Sequence, residues 1–208
     1  MKLPEKTIER LSEYRRTLLN LQSTGKTHIY SHELAKIHHI TAVQVRRDMM
    51  LMGYSSLSKK GYDVNELINI ISEIIDTPEG LNVAVIGMGN LGRAITAYFN
   101  GKRPKLNIVA SFDTDPNKVN RVISGVNCYH MNDLEDVVKR EKISIGIITV
   151  PTEEAVYVSE RLVIAGIKGI LNFTSAILKV PPQIHLESYD MITSLEKVAY
   201  FVKKWYQK

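Results

Sequence analysis

Three glycines, Gly87, Gly89 and Gly92, stand in G-x-G-x-x-G spacing within "VAVIGMGNLGRAI". An apolar run precedes them and a helix-like pattern follows. That context suits a loop that grips the pyrophosphate of a dinucleotide. The first glycine permits a tight turn, the second lets the backbone approach the phosphates, and the third lets helix and strand pack closely. Met88, Asn90 and Leu91 complete the loop, and the helix N-terminus behind it favours negative charge. A second apolar run ends in "SFDTDP", which places Asp113 at a strand terminus. A carboxylate there accepts hydrogen bonds from ribose hydroxyls and repels a 2′-phosphate, so NAD is expected over NADP.

In an open α/β sheet the ligand lies across the carboxyl ends of the strands. That rule nominates Thr149, Val150 and Pro151 after one later strand, and Asn172 and Phe173 after another. Tyr98, two turns into the helix behind the glycine loop, either packs internally or faces the nicotinamide. A dehydrogenase also needs a proton donor or acceptor beside the hydride. His130 and His185 have no evident partner in the sequence. Tyr200 and Lys204 have Y-x-x-x-K spacing but lie in a terminal helix with no cofactor loop after them. His28, His32, His38 and His39 lack the cysteine or carboxylate that would complete a ligand set, so no metal is expected. No catalytic group is assembled, which favours a protein that reads its nucleotide; a small NAD-dependent dehydrogenase is the alternative.

The N-terminal residues carry different chemistry. Residues 1–60 hold eleven lysines and arginines against five acids, while the rest of the chain holds sixteen against seventeen. The whole excess of positive charge therefore sits in the first segment, as expected of a module that meets a polyanion. "TAVQVRRDMMLMG" has Thr41 and Gln44 in capping-box spacing, with Gln44, Arg46 and Arg47 off the apolar stripe formed by Ala42, Val45, Met49 and Met52. Glutamine and arginine pair with adenine and guanine edges, and arginine and lysine also hold phosphates. Ser31 is expected to N-cap the second helix, which it starts, and Lys59 and Lys60, in a short hairpin or wing, to reach flanking DNA backbone or the minor groove. The competing reading is a small helical domain for partner binding.

These residues need positioning elements. A helix over about 4–22, short helices from Ser31 and Thr41, and a helix in "NELINIISEII" make a winged helix-turn-helix. Apolar runs at 81–86, 106–112, 143–150 and 168–173 alternate with helical patterns at 92–99, 133–140 and 152–165. This implies a parallel sheet covered on both faces. An amphipathic segment, "SLEKVAYFVKKWYQK", closes the chain. The expected class is α/β: a winged helix over 1–77, a Rossmann-like domain over 78–187 and a C-terminal helix over 188–208. One cysteine, Cys128, among 208 residues leaves no disulfide framework. With no secretory pattern or long apolar run, a soluble cytoplasmic protein is expected.

In this order, the parts resemble the Rex redox-sensing transcriptional repressors of bacteria. The resemblance rests on "PEKTIERLSEYRRTL", "TAVQVRRDMMLMG", "KGYDV", "VAVIGMGNLGRAI", "FDTDP", "TVP", "AGIKGILNF" and "YDMITSL", and spans essentially the whole chain. It implies a homodimer on a palindromic operator, released when NADH binds and so responsive to the NADH/NAD+ ratio. It also implies that Tyr98 senses the nicotinamide side. Arg16 and Asp190 would form an intersubunit pair that differs between states, and the helix from about Ser188 would be exchanged between subunits. Two positions depart from the family pattern. Ser58 stands where an arginine is expected in the wing, and Met191 replaces an aromatic after Asp190. A paralogue that binds NAD(H) but holds DNA weakly is therefore a further alternative.

Overall fold

The computed structural model describes residues 3–55, 60–99, 101–203 and 205, and it divides into two compact units, Met1–Pro78 and Glu79–Lys208. In the first, α1 (Glu5–Ser23) is followed by β1 (His28–Ile29), α2 (Ser31–Ile37), α3 (Ala42–Leu51), β2 (Tyr62–Asp63) and α4 (Val64–Ile75). Leu11, Tyr14 and Leu18 of α1 meet Leu34 of α2, Val45 and Met49 of α3, and Leu67 and Ile71 of α4 in one buried cluster. The helical apolar spacing of each segment produces this core.

Capping differs in two places from the sequence expectation. Ser31 is the first residue of α2 rather than its cap; the Tyr30 N–H that precedes it donates to Glu33 Oε2 at 2.8 Å. Thr41 does cap α3, its Oγ1 accepting from Gln44 N at 3.1 Å. The Gln44 side chain, however, turns away from the cap to Asp48. A third difference concerns the wing. Among the described residues, β2 pairs antiparallel with β1, His28 opposite Asp63 and Ile29 opposite Tyr62. Residues 56–59, the body of the expected hairpin, lie outside the described residues.

Asp48 faces inward on the same side of α3 as Val45 and Met49, and it is fully buried. Arg10 grips it with two hydrogen bonds of 2.7 Å, Tyr14 OH donates at 2.9 Å and Gln44 Nε2 at 3.0 Å. Both carboxylate oxygens thus accept two bonds each, and the planar fork of Arg10 matches them in geometry. Burial alone would push the Asp48 carboxyl up; the bonds from Arg10, Tyr14 and Gln44 outweigh it and hold it below the ordinary range. The cluster pins α3 to α1 at a fixed rotation.

The second unit runs β3 (Leu81–Ile86), α5 (Asn90–Phe99), β4 (Leu106–Asp113), β5 (Arg121–Ile123), β6 (Val126–His130), α6 (Leu134–Arg140), β7 (Ile143–Ile148), α7 (Ala155–Ile164), β8 (Gly169–Asn172), β9 (His185–Ser188) and α8 (Met191–Lys203). Seven strands form one sheet in the order β5-β6-β4-β3-β7-β8-β9. All pairings are parallel except β5 with β6. The side chains of β3 alternate: Ala84 and Ile86 join the core beneath α6 and α7, while Val83 and Val85 join Ile95 of α5 on the other face. The chain leaves β3 toward β4 on one side and returns to β7 on the other. The carboxyl ends of β3 and β7 are therefore the topological switch point. The final helix, α8, buries none of its residues.

Removing the Asp48 carboxylate leaves the Arg10, Tyr14 and Gln44 donors without their acceptor. We expect Asp48→Ala to destabilise the first unit by about 3 kcal/mol, the low end for a broken buried pair because Arg10 can rehydrate. Denaturant melts of the first unit's helices check this. Because the folded carboxyl titrates below its unfolded value of about 3.9, this stabilisation is complete above that pH and lost as pH falls toward the folded value. A wild-type acid-loss step missing from Asp48→Asn would be its signature.

Candidate functional site

The glycine loop leaves β3 through Gly87, whose φ is 96°, in the left-handed region that favours glycine. A Cβ there would meet the Thr149 backbone at 2.9 Å. Thr149 sits just past β7 and clamps the loop: its N–H donates to Ile86 O at 2.9 Å and its Oγ1 to Gly87 O at 2.7 Å. At Gly92 a Cβ would fall 2.0 Å from the Gly87 carbonyl oxygen. Only a residue without a side chain lets α5 dock here. Gly89 has nothing within 4 Å of its Cβ position, so its backbone faces open space. Gly87 thus makes the tight turn and Gly92 the close packing that their spacing suggests, and Gly89 is left open between them. Asn90 and Leu91 open α5 behind them with amide groups not used in the first helical turn.

Two of the expected cofactor residues are committed elsewhere. Met88 is fully buried in the cluster of Val83, Val85 and Ile95, and its N–H donates to Asp113 Oδ2 at 2.8 Å. It anchors the loop and cannot offer that N–H to phosphate. Asn172, also fully buried, donates to the Thr174 and Ala176 carbonyls and accepts from Thr174 N and Oγ1. Its amide shapes the 173–176 turn, which corrects the expectation that it faces a ligand. Phe173 packs against the smaller sheet-face core and stacks edge-on with Tyr189 at 5.6 Å.

Asp113 ends β4 next to the loop. Its Oδ2 accepts from Met88 N and from Lys118 Nζ at 3.0 Å, and its Oδ1 accepts from Asp115 N at 2.9 Å. Burial would raise its pKa, but the Asp115 N–H, Lys118 and Met88 N–H prevail and hold it ionised below the ordinary range. Oδ1 accepts only one of these bonds, which leaves a lone pair for a hydroxyl donor. Lys118 also lies 3.6 Å from Asp115. Two carboxylates around one ammonium leave the corner net negative.

A cavity of about 620 Å³ opens here, lined by Gly87, Gly89, Asp113, Thr149, Val150 and Pro151 among others. Its size falls within the roughly 300–1,000 Å³ of small-molecule sites. Sequence reasoning missed its far wall: Asn132 after β6, and Glu154, Tyr157 and Arg161 on and before α7. Arg161 is held by Glu135 with two bonds of 2.7 Å and reaches the Met131 carbonyl at 3.1 Å. The signal in the sequence is the position of these residues after parallel strands, which the switch-point rule covers. Tyr98 is not in this wall; it is 61% exposed on α5, with Lys102 Nζ 3.5 Å from its ring centroid.

In the first unit, Arg46 and Arg47 are exposed on α3, and Arg46 Nη1 donates to Ser31 Oγ at 3.3 Å. Gln44 is half-buried and engaged by Asp48, so its side chain does not stand with the two arginines. Lys60 is exposed, and Lys59 lies outside the described residues. Arg16 is exposed on α1. Asp190 caps α8, its Oδ1 accepting from Ile192 N at 2.9 Å and its Oδ2 from Thr193 Oγ1 at 2.7 Å. The Thr193 hydroxyl and the Ile192 N–H hold its carboxyl below the ordinary range.

Residues 79–176 match the family model "CoA binding domain", and residues 2–49 match "Putative DNA-binding protein N-terminus". Over 204 residues the chain is 37% identical to the redox-sensing transcriptional repressor Rex of Listeria welshimeri, covering 98% of this chain and 95% of that one. The Rex of Syntrophobacter fumaroxidans is 40% identical over 200 residues, 96% of this chain and 95% of that one. The chain belongs to the Rex family. A crystal structure of RSP, a Rex-family repressor, in complex with β-NAD+ and operator DNA aligns with a TM-score of 0.91 at 34% identity. It covers all of this chain and 95% of that one. RSP in complex with β-NADH aligns at 0.87, with 97% of that chain covered. Among the described residues no helix is long and apolar enough to cross a membrane.

Gly92→Ala brings a Cβ onto the Gly87 carbonyl and forces α5 away from the loop. We expect it to cost about 1–3 kcal/mol, as overpacking does, and to abolish dinucleotide binding. Calorimetric titration with NADH, alongside a thermal melt, checks both.

Proposed function

We propose that this chain is a redox-sensing transcriptional repressor that holds operator DNA as a homodimer and releases it when NADH binds. The observation that carries the reading is the pairing, in one chain, of a basic recognition helix with a dinucleotide grip at a sheet switch point. Full-length likeness to Rex repressors supports it, as does the RSP complex that holds operator DNA together with the oxidised nucleotide.

In this reading residues 1–77 read DNA, 78–187 hold NAD(H), and 188–208 form the exchanged helix. Gly87, Gly89, Asn90, Leu91 and Gly92 hold the pyrophosphate against the start of α5. Thr149, Val150 and Pro151 form the opposite lip, Asp113 Oδ1 takes a ribose hydroxyl, and Phe173 and Tyr98 lie toward the nicotinamide end. The net negative corner of Asp113, Asp115 and Lys118 disfavours a 2′-phosphate. Ser31, Thr41, Arg46, Arg47, Lys59 and Lys60 face the duplex, with phosphate contacts positioning α3 and arginine reading base edges. Arg16 and Asp190 of opposite subunits form the pair that differs between states. The protein works in the cytoplasm, where both NAD(H) and the chromosome are found.

The two nucleotides differ by a charge on the ring. Burying the cationic ring of NAD+ without a partner is costly, so an apolar nicotinamide pocket prefers NADH. Only a difference in affinity between the DNA-competent and closed arrangements can shift the equilibrium. Typical couplings of about 1–3 kcal/mol correspond to 5- to 150-fold changes in affinity. The protein binds the dinucleotide and gives it up unchanged.

The test is an operator titration with NADH and NAD+ added separately. NADH is expected to weaken operator binding at least five-fold while NAD+ leaves it nearly intact, and Asp113→Ala to blunt the NADH response. An operator affinity indifferent to NADH contradicts the sensor reading. Steady NADH oxidation in the presence of a small carbonyl metabolite would identify a dehydrogenase instead.

A further inference from the structure

The outward stripe of α3 is not uniformly polar. Val43 and Met50, seven residues apart and so on one line of the helix, are 65% and 76% exposed. Arg46 and Arg47 lie between them on the same side. This line is opposite Val45, Asp48 and Met49, which the Asp48 cluster locks into the core. Helix rotation is therefore fixed with Val43 pointing outward. Val43 is also the second residue of α3, in the N-terminal turn that a recognition helix presents to base edges. Gln44, the neighbour whose amide suits adenine, is tied to Asp48 at 3.0 Å. The first turn of the helix thus offers a duplex two methyl groups and no amide.

We propose that Val43 is a specificity-determining residue of the DNA interface, reading the C5-methyl group of a thymine in the major groove. The inference rests on the repressor reading above. In the major groove the thymine methyl is the one apolar feature a base edge presents, and an apolar side chain is its complement. A protruding valine against any other base edge buries polar atoms without partners, which adds discrimination. The arginines beside Val43 supply the hydrogen bonds to guanine and phosphate, so the helix reads thymine by shape and guanine by charge. Gln44, like Arg46 and Arg47, has a side chain of the type that meets base edges, but its bond to Asp48 leaves the first-turn contact to the residue before it.

The test removes the methyl groups from each side of the contact in turn. A tight-binding duplex is selected from a randomised pool with the full-length wild-type protein. Each thymine of one half-site is then replaced singly by deoxyuridine. One position is expected to weaken binding about four-fold, the loss expected for one methyl group taken out of apolar contact. Val43→Ala, which takes two methyl groups from the protein side, should bind the parent duplex at least as weakly as wild type binds that uracil duplex, and should no longer distinguish thymine from uracil there. Its helix content and melting temperature should match wild type, since the position is exposed and alanine favours helix. Wild-type binding unchanged by uracil at every position, or a Val43→Ala variant that keeps the discrimination, would overturn the proposal while leaving the repressor reading in place. Failure to select any duplex would instead remove the repressor reading and this inference with it.

Discussion

The dinucleotide unit depends on one close approach. The Gly87 carbonyl occupies the space where a side chain on Gly92 would begin, with a separation of only 2.0 Å from that Cβ position. Because nothing is there, α5 docks against the end of β3, and Thr149 from β7 can bond the same carbonyl from the other side. The loop is thereby held at the carboxyl ends of two neighbouring parallel strands, β3 and β7. Its one open segment, around Gly89, is presented to the cavity.

Asp113 extends this arrangement to the far side of the loop. By accepting from the Met88 N–H it fixes the loop backbone, and by accepting from Lys118 and Asp115 it stays ionised although only 9% exposed. One carboxylate therefore stabilises the loop and offers its remaining lone pair to a ligand. Asp48 has the corresponding place in the first unit. It is a fully buried acid with four donors, and it sets the rotation at which α3 displays its outer face. In both units a buried carboxylate, rather than an apolar contact, fixes the geometry of the segment beside it: the glycine loop in one, α3 in the other. Removing either partner of such a contact is strongly unfavourable, so its geometry is well determined.

Much of this was legible in the sequence because periodicity and glycine spacing report backbone constraints directly. The runs at 81–86 and 106–112 became β3 and β4, and the glycine loop took the conformation its spacing implies. What could not be read was where polar side chains would be used. Gln44, Met88 and Asn172 were assigned by type or position, yet each is engaged by a neighbour within the fold. For Gln44 a signal existed: Asp48, four residues on, falls on the apolar stripe of its own helix, where a charge needs several partners. Strands β5 and β6 escaped notice because they are short and mixed in polarity. Their connection through Ser124 and Gly125, at φ of 53° and 81°, is the positive-φ pair of a tight hairpin turn. The short β9 likewise lacks an apolar run, since it lies at the sheet edge and only Leu186 packs on the core.

The central claim is that the dinucleotide grip and the recognition helix are thermodynamically coupled. Linkage then requires that each ligand weaken the other by the same factor. The most direct measurement is the NADH dissociation constant of the full chain, free and saturated with operator duplex. The account predicts a rise with operator equal to the factor by which NADH weakens operator binding. An NADH affinity that is the same with and without operator would contradict it.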